Sequence, residues 1–130
     1  MKTIVNEIIS QTNLDVYNDI LLKIVNEIEN RGFMLSCRSD SMQSVIEWDS
    51  YLIRISVKNG KKRELKVLWD ILHEYGHLID GRPSKNEVNI KREKSAWLNA
   101  EIYIKNHSIL MDNYKGFIKY KDECLSTYIS

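Results

Sequence analysis

His73, Glu74 and His77 are the residues of this chain whose types and spacing could do chemistry. They form the pattern H-E-x-x-H. An offset of four residues is close to one helical turn, so both imidazoles would project from the same face of an α-helix. Two imidazoles so placed suit two ligands of one tetrahedral zinc ion. Glu74 would stand beside the metal, where it can take a proton from an activated water and return it to a leaving group.

The surrounding sequence predicts the helix that this pattern needs. Residues 65–79 are rich in Leu, Ile and Trp and contain no proline, and Gly81 and Pro83 follow as stop signals. The alternative interpretation is a buried helix whose two histidines only form hydrogen bonds. Because two of the three histidines of the chain fall into the pattern, the sequence favours zinc.

A catalytic zinc site needs a third protein ligand and one open position for water. The side chains that compete for the third place are Asp80, Glu87, Glu93, Glu101 and His107. Asp80 follows His77 on nearly the same helix face, but at the frayed end of that helix. His107 lies too far along a continuous helix to share an ion with Glu93.

Glu93 is the best candidate for the third ligand. It heads a stripe of residues at offsets of three and four that continues with Ala96, Trp97, Ala100 and Ile104. The alanines allow two helices to approach closely, and a charged side chain on an inward stripe is costly unless it is paired or bound to metal. The alternative is that Glu93 is a solvated residue in a turn rich in Lys and Arg.

Composition and charge restrict the class of protein. The 130 residues, 43% of them hydrophobic and 28% charged, predict one ordinary domain spanning residues 1–130. A formal net charge of +1 gives no electrostatic case for nucleic acid or an anionic membrane as partner. We find no signal peptide and no apolar run of membrane-spanning length, and Cys37 and Cys124 lack metal-site spacing. A cytoplasmic protein with isolated, buried thiols is therefore expected.

The hydrophobic pattern predicts an α+β fold. Residues 3–31 indicate a short helix, a break at 10–13, and a longer helix that ends at a glycine. Residues 33–37 predict a weak first strand, and 44–48 and 51–57 predict an antiparallel hairpin. Alternation places one set of side chains of the last strand on a common face: Tyr51, Ile53, Ile55 and Val57.

Two further helices are predicted after the metal helix, over residues 87–107 and 116–128. The side chains expected to face inward from the closing helix are Phe117, Tyr120, Cys124 and Tyr128. We expect the short antiparallel sheet to pack against the metal helix. Its edge strand would be able to bind an extended peptide backbone.

The sequence resembles the minimal zincins of the ImmA/IrrE type, which share the His-His-Glu set of zinc ligands with the gluzincins. The resemblance rests on H-E-x-G-H, with its glycine at Gly76, and on E-x-x-A-x-x-x-A beginning sixteen positions after His77. It implies a zincin-like fold with His73, His77 and Glu93 as zinc ligands and Glu74 as the general base. Known members cleave repressor proteins, so the resemblance implies a protein or peptide substrate.

The resemblance covers roughly residues 51–104, and the chain departs from the family pattern in two respects. Trp97 stands where many members carry Asn or Asp. The chain also leaves no room for the regulatory domain of many members, which favours a short free-standing form of the kind seen in phage and mobile elements. The metzincin extension after His77 is missing.

The expected function is therefore zinc-dependent hydrolysis of a peptide bond in an intracellular protein, such as a regulator. Tyr75, Tyr103 and Tyr114 are available as oxyanion donors, although packing is the simpler role for each. The alternative is a zinc-bearing binding or regulatory module with a zincin fold and little turnover, which a fourth protein ligand such as Asp80 would favour. A third interpretation is a helical interaction protein with an accidental motif.

Overall fold

A computed structural model describes residues 3–84 and 89–128 of the chain. Within these ranges the fold is α+β, with six α-helices and a small three-stranded sheet. The helices are α1 (Thr3–Thr12), α2 (Asn18–Asn30), α3 (Glu64–Asp80), α4 (Asn89–Lys105), α5 (Ser108–Met111) and α6 (Tyr114–Ser126). The strands are β1 (Met34–Arg38), β2 (Val45–Glu47) and β3 (Leu52–Ser56). None of the described helices is both long and apolar enough to cross a membrane.

A break separates the first two helices, as predicted, but it begins at Asn13 rather than at residue 10, because α1 continues through Thr12. The Thr12 hydroxyl donates to the carbonyl of Ile8 at 2.6 Å and accepts from the N–H of Leu14 at 3.3 Å, and Asn13 has a left-handed φ of 65°. Gly32, which follows the C-cap residue Arg31 of α2, has a φ of 86°, which suits glycine at a helix end. The fully buried side chains of the two helices include Val5, Ile8, Leu21, Ile24, Val25 and Ile28.

The sheet is mixed, with strand order β1-β3-β2. β2 and β3 form the predicted antiparallel hairpin, in which Ile46 lies opposite Ile53. β1 pairs with β3 in parallel, however, with Leu35 opposite Ile53. The prediction of an antiparallel sheet is therefore wrong for β1, because its pairing joins segments that no local turn connects. Tyr51 also departs from its predicted face, since it is exposed and has a φ of 54° in the turn before β3.

The packing of the layers makes α3 the centre of the molecule. α1 and α2 contact β1, while α3 contacts β2 and β3 on one part of its surface and α4 and α6 on others. From α6, Phe117 is buried and Tyr120 and Cys124 are half-buried, as predicted. Tyr128 does not face the core as predicted, because it lies beyond the end of α6 and is exposed. Both cysteines are free thiols.

Candidate metal centre

α3 places His73 and His77 one turn apart and facing a common cleft. Their ring centroids are 4.7 Å apart, and their side chains are 14% and 10% exposed. The helix ends at Gly81, whose N–H donates to the carbonyls of His77 and Leu78 and whose φ of 86° is open to glycine. The helix that the sequence predicts for this pattern is therefore confirmed, with both imidazoles on one face.

α4 brings Glu93 to the two imidazoles. The Oε1 atom of Glu93 lies 3.0 Å from Nε2 of His73, and its Oε2 atom lies 2.7 Å from Nε2 of His77. One nitrogen or oxygen atom from each residue falls within 4.8 Å of the others. Among the described residues this is the group of side chains that could hold a metal ion.

The donor set fits zinc in both chemistry and spacing. Two imidazoles and one carboxylate are a ligand set of catalytic zinc sites, in which the metal–ligand distances of ~2.0–2.1 Å place tetrahedral ligands ~3.3 Å apart. The observed contacts of Glu93 with His73 and His77 are shorter than this by a few tenths of an ångström. One ligand atom from each of the three residues lies within 4.8 Å of the others, so both the carboxylate and the imidazoles would adjust their positions to bring all three to tetrahedral distances.

Close approach of α3 and α4 makes this meeting possible. A Cβ atom on Gly76 would overlap the carbonyl oxygen of Ala96 and lie 3.0 Å from its carbonyl carbon, so only glycine fits there. Asn99 of α4 also stabilises the contact between α3 and α4. Its side-chain amide donates hydrogen bonds to the carbonyl of Gly76 at 3.0 Å and to the carboxylate of Asp80 at 2.9 Å. Glu93 is held one helical turn before Ala96.

Trp97 supports the imidazole of His73. The two rings are stacked, with centroids 4.1 Å apart and an interplanar angle of 7°, and Trp97 is only 1% exposed. Phe117 and Tyr120 of α6 pack in turn against Trp97, with centroids 5.8 and 5.9 Å away. Trp97 therefore fixes the orientation of a candidate ligand.

Glu74 lies beside the three-residue cluster rather than in it. Its Oε2 atom is 3.3 Å from Nδ1 of His73, the ring nitrogen that faces away from Glu93. The residue is 6% exposed, yet it lines a cavity of about 560 Å³ together with His73, His77 and Glu93. The carboxylate can therefore meet a molecule that enters this cavity.

A second cavity of about 350 Å³ adjoins the first at the same centre. Both are lined by His73, Glu74 and Glu93, and the second extends to Asp70 and Tyr120. The Tyr120 hydroxyl donates to Asp70 at 2.7 Å, and an Arg63 nitrogen lies 3.4 Å from the same carboxylate. Asp70 was not predicted to lie near the site, although it is the only acidic residue in the apolar run 65–72.

The other proposed ligands lie elsewhere. Asp80 accepts a hydrogen bond from the side-chain amide of Asn99 and is exposed. Glu101 contacts Lys105, Lys121 and Tyr114. His107 makes a 2.8 Å hydrogen bond to the carbonyl of Tyr103 and stacks on its ring. Glu87 falls outside the described residues.

The three tyrosines considered as oxyanion donors are directed away from the centre. The hydroxyls of Tyr75 and Tyr103 donate to Glu27, and that of Tyr114 donates to Glu101. The tyrosine that does line both cavities is Tyr128, which was predicted to face inward from the closing helix.

The charges of the centre stabilise one another in the absence of metal. Burial raises the pKa of the Glu93 carboxyl, but hydrogen bonds and charges from His73 and His77 outweigh burial and hold that pKa below its usual range. Burial lowers the pKa of His73, but hydrogen bonds with Glu74 and Glu93 prevail and raise it to about 9. The metal-free centre therefore holds a proton on His73.

This proton competes with a metal ion. A ligand histidine must be neutral. As pH increases toward about 9, the zinc affinity should therefore rise by about tenfold per pH unit, and above about 9 it should level off. The raised pKa also stabilises the metal-free fold below about pH 6.5, and that contribution is lost as pH rises through about 9. Competition with a chromophoric chelator, corrected for the protonation of the chelator, measures the affinity. A zinc affinity that is constant from pH 7 to 9 would contradict the assignment.

No protein-family model matches the chain, and no match was found among curated proteins or among solved structures.

Proposed function

We propose that this protein is a zinc-dependent metallopeptidase that hydrolyses a peptide bond in an intracellular protein. The observation that carries the proposal is the convergence of His73, His77 and Glu93, with the carboxylate of Glu74 beside them in an open cavity. The likeness to ImmA/IrrE-type zincins, which rests on the same residues, is part of this proposal.

Different residues of the chain would bind the metal, transfer the proton and position the two helices during hydrolysis. His73, His77 and Glu93 would hold the zinc ion, which supplies Lewis acidity toward the carbonyl and makes a water molecule more acidic. Glu74 accepts the proton of the attacking water and passes it to the leaving amine. Trp97 and Asn99 keep α3 and α4 in place while this happens, through the stack on His73 and the hydrogen bond to α3.

The position of β2 favours an extended peptide as the substrate. β2 is one of the two edge strands of the sheet, and an edge strand presents backbone groups that can pair with another chain. Ser44, Val45, Ile46 and Trp48, in or next to β2, line the same cavity as the metal cluster. A peptide paired with this edge would run past the centre in the extended conformation that peptidases require.

A proteome-derived peptide library tests the proposal without knowledge of the natural substrate. Zinc-loaded protein should create new peptide termini that mass spectrometry detects. Chelator treatment should abolish them, and re-addition of zinc should restore them. If zinc binds but no new termini arise, the protein is a zinc-bearing binding module instead of a peptidase.

A further inference from the structure

Peptide hydrolysis places negative charge on the carbonyl oxygen, and a hydrogen-bond donor aimed at that oxygen is worth a large part of the rate. Most tyrosine hydroxyls near the core already donate to a carboxylate. Besides Tyr75, Tyr103 and Tyr114, this holds for Tyr120, whose hydroxyl is committed to Asp70. None of these four points its donor at the metal cluster.

Tyr128 occupies a different position. It lies just after α6, and its side chain lines both cavities that meet at His73, Glu74 and Glu93. Its phenol is also close enough to Glu93 for the two side chains to interact. The hydroxyl therefore stands at the junction of the two halves of the cleft, where a bound peptide would place the bond to be cut.

We propose that the Tyr128 hydroxyl is the hydrogen-bond donor to the oxyanion of this reaction. The inference rests on the proposed peptidase function and assigns a further catalytic residue to it. The exposure of Tyr128, which is 46%, suits the role because a side chain at the mouth of the cleft can turn toward substrate when Glu93 is engaged with the metal.

The step balances without any further reactant. Water adds to the carbonyl carbon, its proton goes to Glu74, and the C=O π electrons move onto the oxygen. Tyr128 donates a hydrogen bond to that oxygen and keeps its proton. When the C–N bond breaks, the electrons return to form the new carboxyl group and the amine takes the proton from Glu74.

The test uses the cobalt(II)-substituted protein and acetohydroxamate as the probe. The carbonyl oxygen of this anion mimics the attacked carbonyl oxygen, and its deprotonated N–O oxygen mimics the attacking water. Its binding changes the visible absorption of cobalt(II). Tyr128→Phe removes only the hydroxyl and should weaken acetohydroxamate binding by roughly 10- to 100-fold, as expected for a hydrogen bond to a charged group. Cobalt(II) content and thermal stability should not change, because Tyr128 is exposed.

Tyr120→Phe is the matched control. It also removes a hydroxyl from a tyrosine that lines the second cavity, but this hydroxyl donates its hydrogen bond to Asp70. We expect Tyr120→Phe to lower thermal stability and to leave acetohydroxamate affinity within about twofold of wild type. Equal weakening in both variants, or unchanged affinity in Tyr128→Phe, overturns the role of Tyr128 while the metal site stands. A wild-type protein that binds neither cobalt(II) nor acetohydroxamate refutes the proposed function itself and this inference with it.

Discussion

Glu74→Gln should reduce peptide cleavage by at least ~10²–10⁴-fold, the usual contribution of a general base, while zinc stays bound. The change keeps the size and shape of the side chain but removes the proton acceptor. Its amide oxygen can still face Nδ1 of His73, as the carboxylate does at 3.3 Å. Glu74 is not one of the three residues of the metal cluster, so the ligand set remains complete.

The cleavage rate and the zinc content of Glu74→Gln are to be measured on the same preparation, with the peptides that the library identifies. Glu74→Asp is the matched variant, because it keeps the base but shortens the side chain by one methylene. Its rate should fall between those of wild type and Glu74→Gln. A wild-type cleavage rate in Glu74→Gln would refute Glu74 as the general base.

Gly76→Ala should weaken zinc binding by roughly 10- to 100-fold, the effect typical of changes next to a metal ligand. Alanine is favoured over glycine in a helix by ~1 kcal/mol. The added Cβ, however, would overlap the backbone of Ala96, and overpacking of this kind costs ~1–3 kcal/mol. A backbone atom cannot turn aside, so α4 must move and carry Glu93 away from the imidazoles.

Gly116→Ala in α6 is the control for this prediction. A Cβ there would meet only the ring edge of Trp69, at 3.0 Å, which a side chain can accommodate by a small movement. Zinc affinity by chelator competition and midpoints of chemical denaturation measure the two effects. Retention of wild-type affinity and stability in Gly76→Ala would show that α3 and α4 do not approach as closely as described.

The sequence was sufficient to predict the parts of the molecule that depend on local patterns. The helix around His73 and His77 follows from its apolar run and from Gly81. Glu93 could be chosen because a charge on a stripe with Ala96 and Ala100 needs a partner. The hairpin of β2 and β3 follows from alternation and a tight turn.

The features that the sequence did not predict depend on contacts between distant segments. The parallel pairing of β1 with β3 arises from packing, not from a turn. Tyr128 was placed in the core by extending helical periodicity beyond Ser126, where α6 ends. The stack of Trp97 on His73 required the relative rotation of α3 and α4, which periodicity alone does not give.

The central claim is that His73, His77 and Glu93 hold one zinc ion, and elemental analysis of protein purified without an affinity tag tests it most directly. Wild type should contain one zinc per chain. Glu93→Gln should lose most of it, because a neutral amide is a poorer ligand than a carboxylate. Glu101→Gln, on the same helix but paired with Lys105 and Lys121, should retain it. A wild-type protein without zinc after incubation with the metal, or a Glu93→Gln variant with its full zinc content, would contradict the account.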